Sequence, residues 1–250
     1  MLAGIAFFVF VGFAAQMVDG ALGMAYGVTA TAILLSQGVA PAVASASVHT
    51  AEVFTTAASG AAHWRIGNVE RSLLAKLAVP GVAGGILGSF VLTSFPGEKV
   101  RPFVALYILA AGIIVFTRGL RARPTGHTFS SIQTISCGLV AGFLDAAGGG
   151  GWGLLVTSSL LYGGLAPRRA IGTACLAEFF VTASISLTFL FTIGLELWPV
   201  ILGLVIGGVI AAPIAALAAR HIPERPMMLL VGALVIVLSL RELLRGVGLV

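Results

Sequence analysis

GFAAQMVDGALGMAYG (residues 12–27) and GLVAGFLDAAGGGGWG (residues 138–153) decide how this chain is read. They align without a gap at an offset of 126, and the alignment continues to residues 56 and 182. Gly12, Asp19, Gly23, Gly27, Pro41, Glu52 and Thr56 fall on Gly138, Asp145, Gly149, Gly153, Pro167, Glu178 and Thr182. Seventeen of the 45 aligned positions are identical, more than shared apolar bias would produce, so the chain is an internal duplication. The later parts, 81–118 and 203–241, align only with a small length change.

Outside these motifs the chain is a series of long apolar runs broken by short basic or Pro/Gly-bearing segments. Of its 250 residues 58% are hydrophobic and only 9% charged. A soluble domain carries about a quarter charged residues, so these runs read as helices in lipid. The short alternating segments of a transmembrane β-barrel are missing. The fold class expected is an all-α polytopic membrane protein. The net charge of +5 is no nucleic-acid footprint, because the fourteen basic residues lie at segment ends and in loops. Residues 1–18 lack a basic n-region and a cleavage site, and read as a retained first helix.

Residues 2–35 are nearly continuously apolar but interrupted near Asp19–Gly27. One straight helix of that length would run about 50 Å, too long for a ~30 Å hydrocarbon layer. The stretch either bends within one crossing or folds into a hairpin. With hairpins, ten Lys and Arg fall on one side (Arg65, Arg71, Lys76, Arg118, Arg121, Arg123, Arg168, Arg169, Arg220, Arg225) and four on the other (Lys99, Arg101, Arg241, Arg245). The single crossing divides them eight to six. The positive-inside rule favours hairpins, with both termini outside. Each copy then crosses an odd number of times, so the copies are inverted repeats, each an opening interrupted-helix hairpin plus three transmembrane helices. The expected segments are 2–18, 22–36, 41–62, 72–94 and 102–117, then 131–146, 150–163, 167–190, 199–219 and 227–241. The organisation is a first repeat at 1–121, a basic cytoplasmic linker at 122–130 and a second repeat at 131–250.

Four of the nine acids lie within apolar segments, and they form two repeat-related pairs: Asp19 with Asp145 and Glu52 with Glu178. A carboxylate in hydrocarbon costs at least a few kcal/mol, so such groups face a bundle interior or a water path. A buried carboxyl that takes up protons can carry a coupling proton. Asp19 and Asp145 border glycine breaks, where capping a helix end is the rival reading. In the third segment, Ser45, His49, Glu52, Thr56, Ser59 and His63 share one helical face. The counterpart reads Ile171, Cys175, Glu178, Thr182, Ile185 and Phe189, so the first copy has the more polar wall. His49, three residues before Glu52, is placed to share a proton with it; a hydrogen bond to a neighbouring helix is the alternative.

The glycine breaks, Gly20, Gly23 and Gly27 in one copy and Gly148–Gly151 with Gly153 in the other, let a helix stop and let backbone amides approach a ligand. A half-helix starting there offers free N–H groups and a positive dipole end to an anion. No Walker lysine follows, which excludes a P-loop. Gly81, Gly84, Gly85 and Gly88 follow the small-xxx-small spacing of close helix packing. Tyr26 and Trp152 stand at equivalent positions just inside the breaks, placed to line or gate a cavity. Cys137 and Cys175 have no metal-ligand or disulfide spacing. Without a Ser-His-Asp order, a metal cluster or a redox motif, an enzyme is a poor fit and no cofactor is expected.

These elements resemble the sulfite exporter TauE/SafE family of membrane permeases. The resemblance rests on Gly12-x6-Asp19-Gly20-x-x-Gly23 with Pro41-x-x-Ala44, on Gly138-x6-Asp145-x-x-Gly148-Gly149-Gly150-Gly151 with Pro167-x-x-Ala170-x-Gly172-Thr173, and on the loop Gly67-Asn68-Val69-Glu70. It implies a bacterial or archaeal inner-membrane secondary transporter of small anions such as sulfite or sulfonates, with about eight spans. Met24 and Ala25 depart from the fuller glycine form of the second copy.

The leading expectation is export of a small sulfur oxoanion coupled to protons. Substrate would meet Gly23, Tyr26, Ser47, Gly149, Gly150, Gly151, Trp152 and Thr173. Glu52, Glu178, Asp19, Asp145 and His49 would carry protons. With no Lys or Arg deep in the membrane, ionised acids would repel such a substrate. A cation or metal-ion transporter using the four carboxylates is therefore the rival reading, and a non-transporting scaffold a third. Expected partners are the small anion, membrane lipid and a second copy in a homodimer, with no nucleic acid.

Overall fold

The computed structural model describes residues 2–120, 130–218 and 224–246. Ten helices form among them: α1 (Leu2–Leu22), α2 (Tyr26–Ser36), α3 (Pro41–Arg65), α4 (Arg71–Ser94), α5 (Gly97–Leu120), α6 (Ser131–Gly148), α7 (Trp152–Tyr162), α8 (Pro167–Thr192), α9 (Trp198–Ala218) and α10 (Glu224–Gly246). The expected linker lies, except for Ser130, outside the described residues. The protein is all-helical, and α4, α5, α8 and α9 are each long and apolar enough to cross a membrane.

Local chemistry sets the helix ends. Pro41 and Pro167 open α3 and α8 from extended Ala40 and Ala166, where the missing N–H costs nothing. Ser130 caps α6 reciprocally with Gln133. α5 begins at Gly97, five residues before the expected 102, and Glu98 in its first turn complements the dipole. α1 runs past the expected residue 18 to Leu22, so Asp19 sits in its last turn and accepts, through its carbonyl, from the Gly23 N–H.

The halves of each opening hairpin are unequal. α2 and α7 have 11 residues each, about 16 Å of helix and half the hydrocarbon thickness. They start beside the acids in the interior rather than at a membrane surface. α2 runs from there toward Arg101 and Arg245, which bind its last carbonyls. Arg118 of α5 lies alongside α7 instead, binding Leu154 O in its first turn at 3.1 Å and the Ser158 hydroxyl in its middle. Both α2 and α7 are half-helices.

The copies exchange partners. α1 lies along α9 and α6 lies along α4, while α3 packs on α8 and α5 on α10. Gly84 and Gly88 back onto α6 at Leu139 and Phe143, and Gly207 backs onto α1 at Val9 and Phe13. The small-xxx-small reading therefore holds, and such contacts let backbones touch in a solvent that gives no hydrophobic drive. Thr50 pairs with Ser186 at 2.9 Å while Gly60 abuts Leu176, so α3 and α8 run in opposite directions. Gly112 against Val235 and Gly119 against Leu229 give α5 and α10 the same relation. The repeat-equivalent pairs α3/α8 and α5/α10 are thus each antiparallel. Large apolar side chains such as Phe10, Phe103, Phe191 and Leu230 point outward, while the interior combines aliphatic and aromatic side chains such as Trp152, Phe189 and Ile185 with Ala, Gly, Ser and Thr, and holds Asp19, Glu52, Asp145 and Glu178.

Candidate functional site

α1 and α6 both stop on a glycine in the left-handed region, Gly23 (φ 68°) and Gly149 (φ 74°). The following half-helices pass each other side by side at their N-termini. A Cβ on Gly27 would strike Gly150 Cα, and one on Gly153 would strike Gly23 O. Thr31 donates to Gly149 O, and its repeat equivalent Thr157 donates to Gly23 O at 2.8 Å. Each copy's half-helix is thus tied to the break of the other by the same bond. Neither threonine was singled out from sequence, although both lie on the 126-residue offset.

The first amides of the half-helices face carboxylates. Trp152 N–H donates to Asp145 Oδ1 at 2.8 Å. Asp19 stands at the same position beside the Tyr26 N–H, and Glu52 Oε1 lies against Gly27. Capping, the rival reading for the aspartates, is therefore what Asp145 does and where Asp19 stands. Asp145 does more, because its Oδ2 faces His49 Nε2 at 3.2 Å. His49 Nδ1 lies 2.8 Å from Ser45 O. A carbonyl only accepts, so Nδ1 carries a proton and donates it. Nε2 can then bond Asp145 only if one more proton is shared between them. Glu52 Oε2 is 3.9 Å from the same nitrogen, and that oxygen is buried without a hydrogen bond.

His49, Glu52 and Asp145 thus form one triad, drawn from α3 of one copy and α6 of the other. Their repeat equivalents, Cys175, Glu178 and Asp19, form a second, with potential ligand atoms all within 4.8 Å of one another. Spacing along the chain offered no such cluster, because the aspartate comes from the opposite copy. The only signal in the sequence was the offset that puts Cys175 on His49. Both triads are closed off: His49 is 0% exposed, Cys175 2% and Asp19 and Glu178 7%.

The remaining expected residues divide. Trp152 is fully buried and donates from Nε1 to Ala174 O at 3.1 Å. Tyr26 is buried with its hydroxyl 3.4 Å from Leu204 O. Both stand beside the breaks. Gly149, Gly150 and Gly151 all have positive φ (74°, 140° and 141°), and Tyr107 of α5, unforeseen from sequence, donates to Gly150 O at 2.9 Å. Ser47 and Thr173 are equivalents, and their hydroxyls are engaged elsewhere. Ser47 donates to Val43 O in its own helix, and Thr173 accepts from Glu70 N–H at 2.8 Å, anchoring the loop after α3. His63, last of the polar face on α3, meets Asn68 at the end of that helix.

The sulfite exporter TauE/SafE family matches residues 8–241. The chain is also similar to the probable membrane transporter protein YtnM of Bacillus subtilis (strain 168), 43% identical over 245 residues that cover 95% of this chain and 82% of that one. No solved structure is a significant match. With two amide-lined helix breaks and buried acids enclosed in an apolar helical bundle, the chain belongs to the sulfite exporter TauE/SafE family and is a multi-pass membrane transporter.

Proposed function

We propose that the protein moves a small sulfur oxoanion, such as sulfite or a sulfonate, out of the cell together with protons, and that anion and carboxylates compete for the same amide donors. The observation that carries this reading is Asp145, which caps α7 through Trp152 N–H while its other oxygen shares a proton with His49. Ionised, the carboxylate occupies the α7 N-terminus as an anion would. Protonated, it releases the amide and loses the charge that repels substrate. A proton taken up at the His49–Glu52–Asp145 triad therefore opens a place for an oxoanion at Gly149–Trp152. Asp19 beside the Tyr26 N–H allows the same exchange at Gly23. Repulsion between acids and anion becomes the coupling itself, because the anion is admitted only with protons.

Inverted repeats fit this reading, since reciprocal threonine bonds at the breaks would let one half rock on the other about a fixed site. The antiparallel equivalents α3/α8 and α5/α10 support the inversion. In this scheme the chain sits in a bacterial or archaeal cell membrane with both termini outside, in keeping with the excess of Lys and Arg on the opposite side. A scaffold would leave two buried triads without a purpose.

The test is sulfite flux in proteoliposomes as a function of internal and external pH. An imposed proton gradient should drive wild-type flux, and Glu52→Gln should cut the rate about tenfold or more and flatten its pH dependence. Glu178→Gln should do the same if both triads cycle. Flux that ignores the gradient and both substitutions would sink the coupling scheme, and metal uptake without anion uptake would replace the substrate class.

A further inference from the structure

We propose that Asp19, Cys175 and Glu178 form a binding site for a borderline-soft divalent metal ion of the zinc and cobalt class. The two triads are built alike except at one position. In the first, His49 supplies an imidazole that can hold positive charge between Asp145 and Glu52. In the second, the same place is taken by the Cys175 thiol. Two carboxylates face it, and no Lys, Arg or His among the described residues is paired with them. Glu178 completes the cluster. It is 7% exposed and makes no hydrogen bond or ion pair among the described residues, yet its carboxylate is aimed at Asp19 and Cys175. Two carboxylates held this close in a low-dielectric interior repel each other when ionised. A cation between the three groups would remove that repulsion.

The donor set selects the ion. One sulfur and two carboxylate oxygens suit Zn²⁺ or Co²⁺, whereas Mg²⁺ and Ca²⁺ prefer all-oxygen shells. The three ligand atoms lie within 4.8 Å of one another, against about 3.5 Å across a tetrahedral shell. Side-chain adjustments of about an ångström would close the site. Three protein ligands leave a fourth position for water or a substrate oxygen. The metal–sulfur bond forms as the thiol loses its proton, so binding releases at least one proton. Because Asp19 comes from α1 and the other two from α8, the ion would bridge the two copies.

The whole protein, purified in detergent and stripped with a chelator, is titrated with Co²⁺ and followed by absorption. One equivalent should bind with a thiolate-to-cobalt charge-transfer band. Cys137→Ser should keep the band and Cys175→Ser should lose it. Glu178→Gln should weaken binding about tenfold or more, as loss of an anionic ligand does. A wild type with no such band, a band that survives Cys175→Ser or vanishes with Cys137→Ser, or an affinity unmoved by Glu178→Gln would each overturn the proposal. The wild-type and Cys137→Ser titrations decide even if a Cys175 variant fails to fold. The readout involves no transport, so it stands or falls separately from the anion reading.

Discussion

Ala25 holds a left-handed backbone, φ 86°, just before α2, the one described non-glycine residue to do so. An L side chain enters that region at a cost of about 1–2 kcal/mol, and the equivalent residue in the second copy is Gly151. Part of the gain on replacing it is lost to glycine's larger unfolded-state entropy. Ala25→Gly is therefore expected to stabilise the protein by up to about 1 kcal/mol, seen as a higher midpoint in heat-and-size-exclusion assays. Gly150→Ala should do the opposite and abolish monodisperse protein, because its Cβ would overlap the backbone of Gly27 and Val28. Gly38→Ala is the control: its φ is 89° but nothing lies within 4 Å, so only the strain is felt, about 1 kcal/mol. At this scale much was legible. The four acids stood out because charge in an apolar run is expensive, and the structure gathers all four. Cys175 did not stand out, because a cysteine in an apolar segment is ordinary until its neighbours are known.

The half-helix α2 depends on neighbouring elements at its end remote from the site. Arg101 of α5 binds Leu35 O and Gly38 O at the C-terminal end of α2, and Arg245 of α10 binds Ser36 O at 3.0 Å. These arginines satisfy carbonyls that a short helix cannot satisfy alone. Arg101 also forms an ion pair with Oε1 of Glu242, whose side chain is only 5% exposed and whose Oε2 is buried without a hydrogen-bond partner. Removing the arginine leaves a buried charge, so Arg101→Ala should cost about 3 kcal/mol. Adding Glu242→Gln should recover part of that loss. Thermal unfolding of the single and double variants checks this, and a double variant no better than Arg101→Ala would show that the pair is not what matters. The sequence placed Arg101 in a loop before a helix at 102. The early start at Gly97, and the turn toward α2, depend on contacts it could not reveal.

Taken whole, the protein is two copies interleaved rather than two bundles side by side. Single cysteines introduced into a Cys137→Ser, Cys175→Ser background test its orientation. A position in the α4–α5 turn (Phe95) and one in the α8–α9 turn (Gly194) should react with an impermeant maleimide added to whole cells. Positions in the α3–α4 loop (Gly67) and the α7–α8 turn (Gly164) should react only after lysis. Any exchange between the two sets would refute the inverted arrangement. The duplication, the helical class and the acids were decided by sequence alone, because periodic apolar runs, their interruptions and an ungapped repeat are properties of the chain as written. Ten versus four basic residues also favoured opening hairpins, since charge at segment ends responds to the membrane and not to packing. Which acid meets which histidine or cysteine was left to the tertiary structure. Each triad takes its aspartate from one copy and its other two residues from the other. That pairing exists only once α1 has packed along α9, α6 along α4 and the two half-helices have locked through Thr31 and Thr157.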